Sequence, residues 1–148
     1  MLTTTTASAV PHIKQGRARA LCAAGGALAA ALAWIVEVPL LGIHLNVRFG
    51  PGHMHMGAGH IQTIAIGQVI GVTVAASLLG WLLLALLERR TPQARLLWTT
   101  IALAALAASL ALPLAAATTT SATIGLIVMH LTVAAAVIPA MAHTARTH

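Results

Sequence analysis

Residues 61–87 read IQTIAIGQVIGVTVAASLLGWLLLALL, 27 consecutive positions without a charged side chain. About 20 apolar residues in a helix suffice to cross the hydrocarbon core of a bilayer, so this run can span one with tilt. It stops at Glu88-Arg89-Arg90-Thr91-Pro92, where charge and proline both oppose continuation. Three further apolar runs, at about residues 20–41, 96–117 and 122–141, have the same character. Residues 1–19 read as a flexible basic tail and 143–148 as a short polar one. The fold class that follows is all-α: a polytopic membrane protein with a bundle of four transmembrane helices.

Composition supports this reading. The 148 residues are 59% hydrophobic and 7% charged, against roughly 25% charged in soluble domains. Eight basic and two acidic side chains cannot build a water-facing surface, and so much apolar side chain excludes intrinsic disorder. The single cysteine, Cys22, excludes an internal disulfide and every multi-cysteine metal motif. A net charge of +6 suggests nucleic acid only until the basic residues are placed: they flank the apolar runs and form no single patch. A basic stretch before an apolar one also describes a signal peptide. The first run is longer than the usual h-region of about 7–15 residues, and no small-x-small site follows it, so a retained helix is predicted. Arg dominance among the basic residues and abundant Ala point to GC-rich bacterial coding.

Charge also orients the spans. With four of them, Lys14, Arg17, Arg19, Arg89, Arg90, Arg95 and Arg146 share one side, and only Arg48 lies on the other. The positive-inside rule then places both termini in the cytoplasm of a bacterial inner membrane. Trp34, Trp81 and Trp98 fall toward run ends, where amphipathic rings favour the interface. The second run contains Gly67-x-x-x-Gly71 followed by Ala75. Small residues at this spacing let helix backbones approach closely. The first reading is packing inside the bundle, and the alternative is homo-oligomerisation through the Gly67/Gly71 face.

Polar side chains within spans are expensive, so they mark candidate sites. At 1.5 Å per residue, Glu37 lies about 5 Å inside the outer end of the first span, Gln68 about 10 Å, His130 about 12 Å and Ser109 about 13 Å inside theirs. If they converge, they form a polar pocket in the outer half, with Trp34, Gln68, Ser109, Arg48 and Asn46 as its expected lining. Glu37 is the strongest candidate, being the one acid outside the Glu88-Arg89-Arg90 cluster. Burial disfavours a charged carboxylate, so Glu37 is predicted to act as a proton donor unless a cation, with Arg48 or His44 nearest in sequence, meets it. The plain alternative is an interfacial Glu that snorkels to water or pairs with Arg48, and metal ligation is a third reading. His130, and otherwise His44, is the expected acid/base partner, although His130 could equally serve packing through a carbonyl.

Residues 42–60, GIHLNVRFGPGHMHMGAGH, contain four His, two Met and five Gly and read as an irregular extracytoplasmic loop. Imidazole and thioether together suit copper, which makes His53, Met54, His55, Met56 and His60 a candidate metal set. The alternative is a polar lid. The expectation for cofactors is therefore none, or copper.

The segments LLGWLLLALLERRTP (78–92), SLALPLAAATTT (109–120) and LIVMHLTVAAAVIPA (126–140) resemble a family of small four-span actinobacterial membrane proteins of unknown function. The likeness covers about residues 62–142, leaves out the 42–60 loop, and implies the four-span fold without assigning a catalytic residue. A distinctive loop on a shared scaffold then suggests a role particular to this chain. The leading functional expectation is a membrane enzyme that isomerises or cyclises a lipophilic, terpenoid- or polyketide-like substrate by proton transfer at Glu37. Copper handling by the loop and a non-enzymatic accessory role are the alternatives; the bilayer and a lipophilic small molecule are the expected partners, and nucleic acid is not.

Overall fold

The computed structural model describes residues 10–49 and 60–145, with the backbone alone for 10–14, 49 and 60. Helix α1 (Val10–Ile35) widens into one π-helical turn, Val36–Leu40, and a short antiparallel hairpin follows, β1 (Asn46–Phe49) and β2 (His60–Thr63). Then come α2 (Ile66–Arg90), α3 (Ala94–Ser109), α4 (Ala111–Ala116) and α5 (Thr120–His143). Four stretches are long and apolar enough to cross a membrane: Gln15–Leu40, Ile66–Arg90, Ala94–Ala116 and Thr120–His143.

Helix α1 with its π-turn is apolar on the outside and carries several small residues on the inside. On α1 the buried positions Arg19, Ala23, Gly26, Ala30 and Glu37 recur at helical spacing, while Leu21 and Leu28 on the outer side are 72% and 62% exposed. In lipid there is little hydrophobic drive between helices, so close backbone approach and dispersion hold a bundle together. That approach occurs at Gly26, where a Cβ would run into the Val137 side chain, and at Gly125. It does not occur at Gly67 and Gly71. Both are exposed, and nothing stands within 4 Å of where their Cβ atoms would lie. The expected intramolecular use of the Gly67/Gly71 face is therefore not the one the bundle makes, because α1 and α5 pack against other faces of α2.

Helix α1 lies between α2 and α5, antiparallel to both, and α3 packs on α2 and α5. At one end, the basic end, Arg19 bonds Glu88 at 2.5 Å and Thr144 through Oγ1 at 3.2 Å and its carbonyl at 3.3 Å. The start of α1 and the end of α5 thus lie together. Leu84 and Met141, both fully buried, pack there with Trp98, whose Nε1 donates to the Gly80 carbonyl at 2.8 Å. At the other end a second cluster joins Ala30, Val69, Leu126 and Met129 to the hairpin residues Leu45 and Val47.

Several boundaries differ from those read in the sequence. Helix α1 begins at Val10, well inside the residues 1–19 read as a flexible tail, since burial of Arg19 against Glu88 makes that region part of the bundle. Residues Ile61–Thr63, read as the start of the second span, pair with β1 instead in the register Asn46↔Thr63 to Phe49↔His60. The segment read as irregular loop carries strand alternation: Ile43, Leu45, Val47 and Phe49 are apolar, while His44, Asn46 and Arg48 are polar. Such period-2 patterning puts one face inward, and Leu45 and Val47 are buried accordingly. The third span is broken at Leu110, because Pro113 has no N–H to give Ser109 and its ring crowds that carbonyl. Ser109 Oγ instead donates to the Leu106 carbonyl at 2.7 Å.

Candidate functional site

Glu37 sits on the π-helical turn, and π-turns recur at functional sites because they add one residue to a helical face. The turn closes with Leu41 N–H on the Val36 carbonyl at 3.0 Å. Gly42, at φ +65°, then reverses the chain in a conformation that favours glycine. This sends Gly42 N–H to Val38 O at 3.1 Å and Ile43 N–H to the main-chain carbonyl of Glu37 at 2.9 Å. The backbone of the site is thereby fixed on both sides of the carboxyl.

Glu37 is 4% exposed, and among the described residues neither carboxyl oxygen has a hydrogen-bond partner. It points at α5. A Cβ on Gly125 would stand 3.3 Å from Glu37 Oε2, 3.1 Å from Leu45 Cδ2 and 3.5 Å from Ile43 Cγ2. The absence of a side chain at Gly125 is what leaves room for the carboxyl. Leu45, at the start of the hairpin, closes the space from above. A buried ionised carboxylate without partners is held at a cost of several kcal/mol, roughly.

The hairpin is fastened over this end by few polar contacts. Trp34 Nε1 donates to the Ile64 carbonyl at 3.1 Å, and Thr118 donates to the Asn46 carbonyl through N–H at 3.1 Å and Oγ1 at 3.2 Å. Val47 also bridges Ala117, and Thr63 Oγ1 donates to Asn46 Oδ1 at 2.8 Å. Trp34 and Asn46, expected to line a pocket, take part in these contacts between the hairpin and the helices.

The other expected residues are placed as follows. His130 is half-buried on α5 and its Nδ1 donates to the Leu126 carbonyl at 2.6 Å, which leaves the lone pair of a neutral ring on Nε2. It lies five residues beyond Gly125, about 140° around the helix and about 7.5 Å along it, and shares no hydrogen bond with Glu37. His44 is exposed beside the hairpin, and Arg48 is exposed on β1. Gln68 spends its Oε1 on the Ala65 N–H at 3.0 Å, at the start of α2. Ser109 serves the break in the third span, as described. His53, Met54, His55 and Met56 lie outside the described residues, as does the side chain of His60. Among the described residues no group of three or more His, Cys, Asp or Glu side chains is placed to hold a metal ion.

Two features of the geometry go beyond the sequence-based expectation. Ile43 and Leu45 share with Glu37 the space opposite Gly125; the alternation over residues 43–49 was the available signal for the first two. At the basic end, Arg19 reads in the sequence as a topology signal and Glu88 as part of an interfacial cluster. They form a buried ion pair, with side chains 5% and 8% exposed. The spacing of Arg19 on the same helical stripe as Glu37, 18 residues or about 27 Å away, was the signal for that.

No curated protein and no solved structure matches this chain. The pattern of a family of unknown function, DUF6069, matches residues 12–147. This range is wider than the likeness over about residues 62–142 and runs across the hairpin. Nearly the whole sequence is thus accounted for, and the chain belongs to the DUF6069 family.

Proposed function

We propose that this chain is a multi-pass protein of a bacterial inner membrane that exchanges a proton with a lipophilic small molecule at Glu37. The observation that carries the reading is the carboxyl group of Glu37, enclosed at one end of an apolar bundle with no partner of its own. A single proton donor in a greasy enclosure suits isomerisation or cyclisation of a terpenoid- or polyketide-like substrate, with Glu37 as acid and His130 Nε2 or His44 as the receiving base. The charge asymmetry supports cytoplasmic termini: Arg17, Arg19, Arg89, Arg90 and Arg95 gather at the basic end, against Arg48 on the hairpin. Dominance of Arg over Lys supports a GC-rich bacterial source, and the family resemblance implies an actinobacterial one.

Solvent deuterium tests this. Full-length protein in proteoliposomes is incubated in deuterated buffer with the lipid extract of its host cells. The wild type is expected to place deuterium in a lipophilic component, and Glu37→Gln is expected to place none while remaining folded in the membrane. Equal incorporation by both proteins removes Glu37 from the chemistry.

The outward Gly67/Gly71 face of α2 supports a homo-oligomer built on that surface. Native mass spectrometry in mild detergent is expected to show an oligomer that Gly71→Leu dissolves.

A further inference from the structure

Of the two acidic side chains in the chain, Glu88 is engaged by Arg19 at the basic end. Glu37 has both oxygens unpartnered at the other. No described cation of the protein meets it. Arg19 is about 27 Å away along α1. On the hairpin side His44 and Arg48 are exposed, and on α5 the ring of His130 is bonded to Leu126. Helix α4 and the first two turns of α2 carry no titratable side chain. Whatever neutralises Glu37 therefore comes from outside the described side chains.

We propose that Glu37 is the binding site for a lipophilic organic cation, a molecule with shielded or delocalised positive charge and an apolar body, which takes the place of the carboxyl proton. The proposal rests on the reading of Glu37 as a proton-exchanging group and goes beyond it by naming a ligand class. Among the described residues no further donor joins the carboxyl, where zinc wants about four and calcium about six or more. Leu45 Cδ2 and Ile43 Cγ2, which donate nothing, share with Glu37 Oε2 the space opposite Gly125. A bulky organic cation needs one counter-charge and apolar contact, and both are present. Trp34, three residues before Glu37 and packed on the same cluster, adds an aromatic ring of the type that attracts cations. The ligand body takes the volume that Leu45 fills when the hairpin is closed, and the fastenings at Ile64 and Asn46 release to admit it.

Charge balances simply. The protonated carboxyl of Glu37 loses its proton to solvent as the cation arrives, and the ion pair that forms is electrically neutral. One proton leaves for each cation bound.

Tetraphenylphosphonium is the probe, titrated calorimetrically into full-length protein in detergent micelles, in two buffers of different ionisation enthalpy. We expect about one proton released per cation bound. We also expect affinity to rise about tenfold per pH unit while Glu37 is protonated, levelling above that. Glu37→Gln is expected to weaken binding more than tenfold, Glu37→Asp to keep it within tenfold, and Leu45→Ala to tighten it. Undiminished binding to Glu37→Gln, or binding without proton release, overturns the proposal. Labelling with dicyclohexylcarbodiimide separates it from the reading beneath. If Glu37 is labelled and the phosphonium does not protect it, the cation site fails while proton exchange stands; if Glu37 is not labelled at all, both fail.

Discussion

Glu37 and Gly125 are mated across the interface of α1 and α5: the carboxyl Oε2 stands 3.3 Å from the point a Cβ on Gly125 would occupy. An alanine there needs its neighbours to yield by a few tenths of an ångström, and both the carboxyl and the Leu45 tip can do so. A valine cannot be absorbed in that way. Gly125→Ala is expected to cost less than about 1 kcal/mol and Gly125→Val about 2 kcal/mol or more, as overpacking does. Thermal melting in detergent measures both, and carbodiimide labelling of Glu37 is expected to speed up in the valine variant as the cover lifts.

At mid-bundle the tolerance is lower. A Cβ on Gly26 points into the Val137 side chain, with Ser77 Oγ and Thr73 Cγ2 each 3.7 Å away. Gly26→Leu is expected to lower the melting temperature sharply, by an equivalent of roughly 2–3 kcal/mol. Gly26→Ala combined with Val137→Ala is expected to recover much of the loss of Gly26→Ala alone. Non-additivity in that double-mutant cycle is the measurement that identifies the clash.

The Arg19–Glu88 pair makes a prediction of a different type. Removing one member of a buried ion pair costs about 3–5 kcal/mol because a charge stays behind. Arg19→Gln is expected to destabilise the bundle by about that amount, and Arg19→Gln with Glu88→Gln by clearly less. If the double variant is as unstable as the single one, the pair is not what joins α1, α2 and α5 at the basic end.

Pro113 governs the break between α3 and α4. Replacing it with Ala restores an N–H for Ser109 and removes the ring clash, so Pro113→Ala is expected to join the two helices. Circular dichroism is expected to show a small gain in helicity, and melting a change smaller than that of Gly26→Leu.

Much of the architecture was legible. An uncharged run of 27 residues ending in Glu88-Arg89-Arg90 admits almost no other reading, and the remaining runs repeat its logic. Glu37 stood out for an equally simple reason: it is one of two acids, and its neighbours Trp34, Ile35, Val36 and Val38 are apolar. Its surroundings were less legible. Which face of α1 turns inward depends on Gly26 and Ala30 offering α5 room, and Gly125 marks the site by lacking a side chain. The strand alternation from Ile43 to Phe49 was present but lay beside a Gly- and His-rich stretch that dominates the composition. The ion pair joins residues 69 positions apart, and local pattern carries no information at that separation.

The surface that faces Glu37 comes from α5, which follows α1 to α4 in the chain. While α1 to α4 are being made, the carboxyl has no Gly125 against which to settle, and the hairpin has no Thr118 to fasten it. A chain interrupted before residue 118 would lack both Gly125 and Thr118, so neither the partner surface of the carboxyl nor this fastening of the hairpin forms until the sequence beyond that point is present.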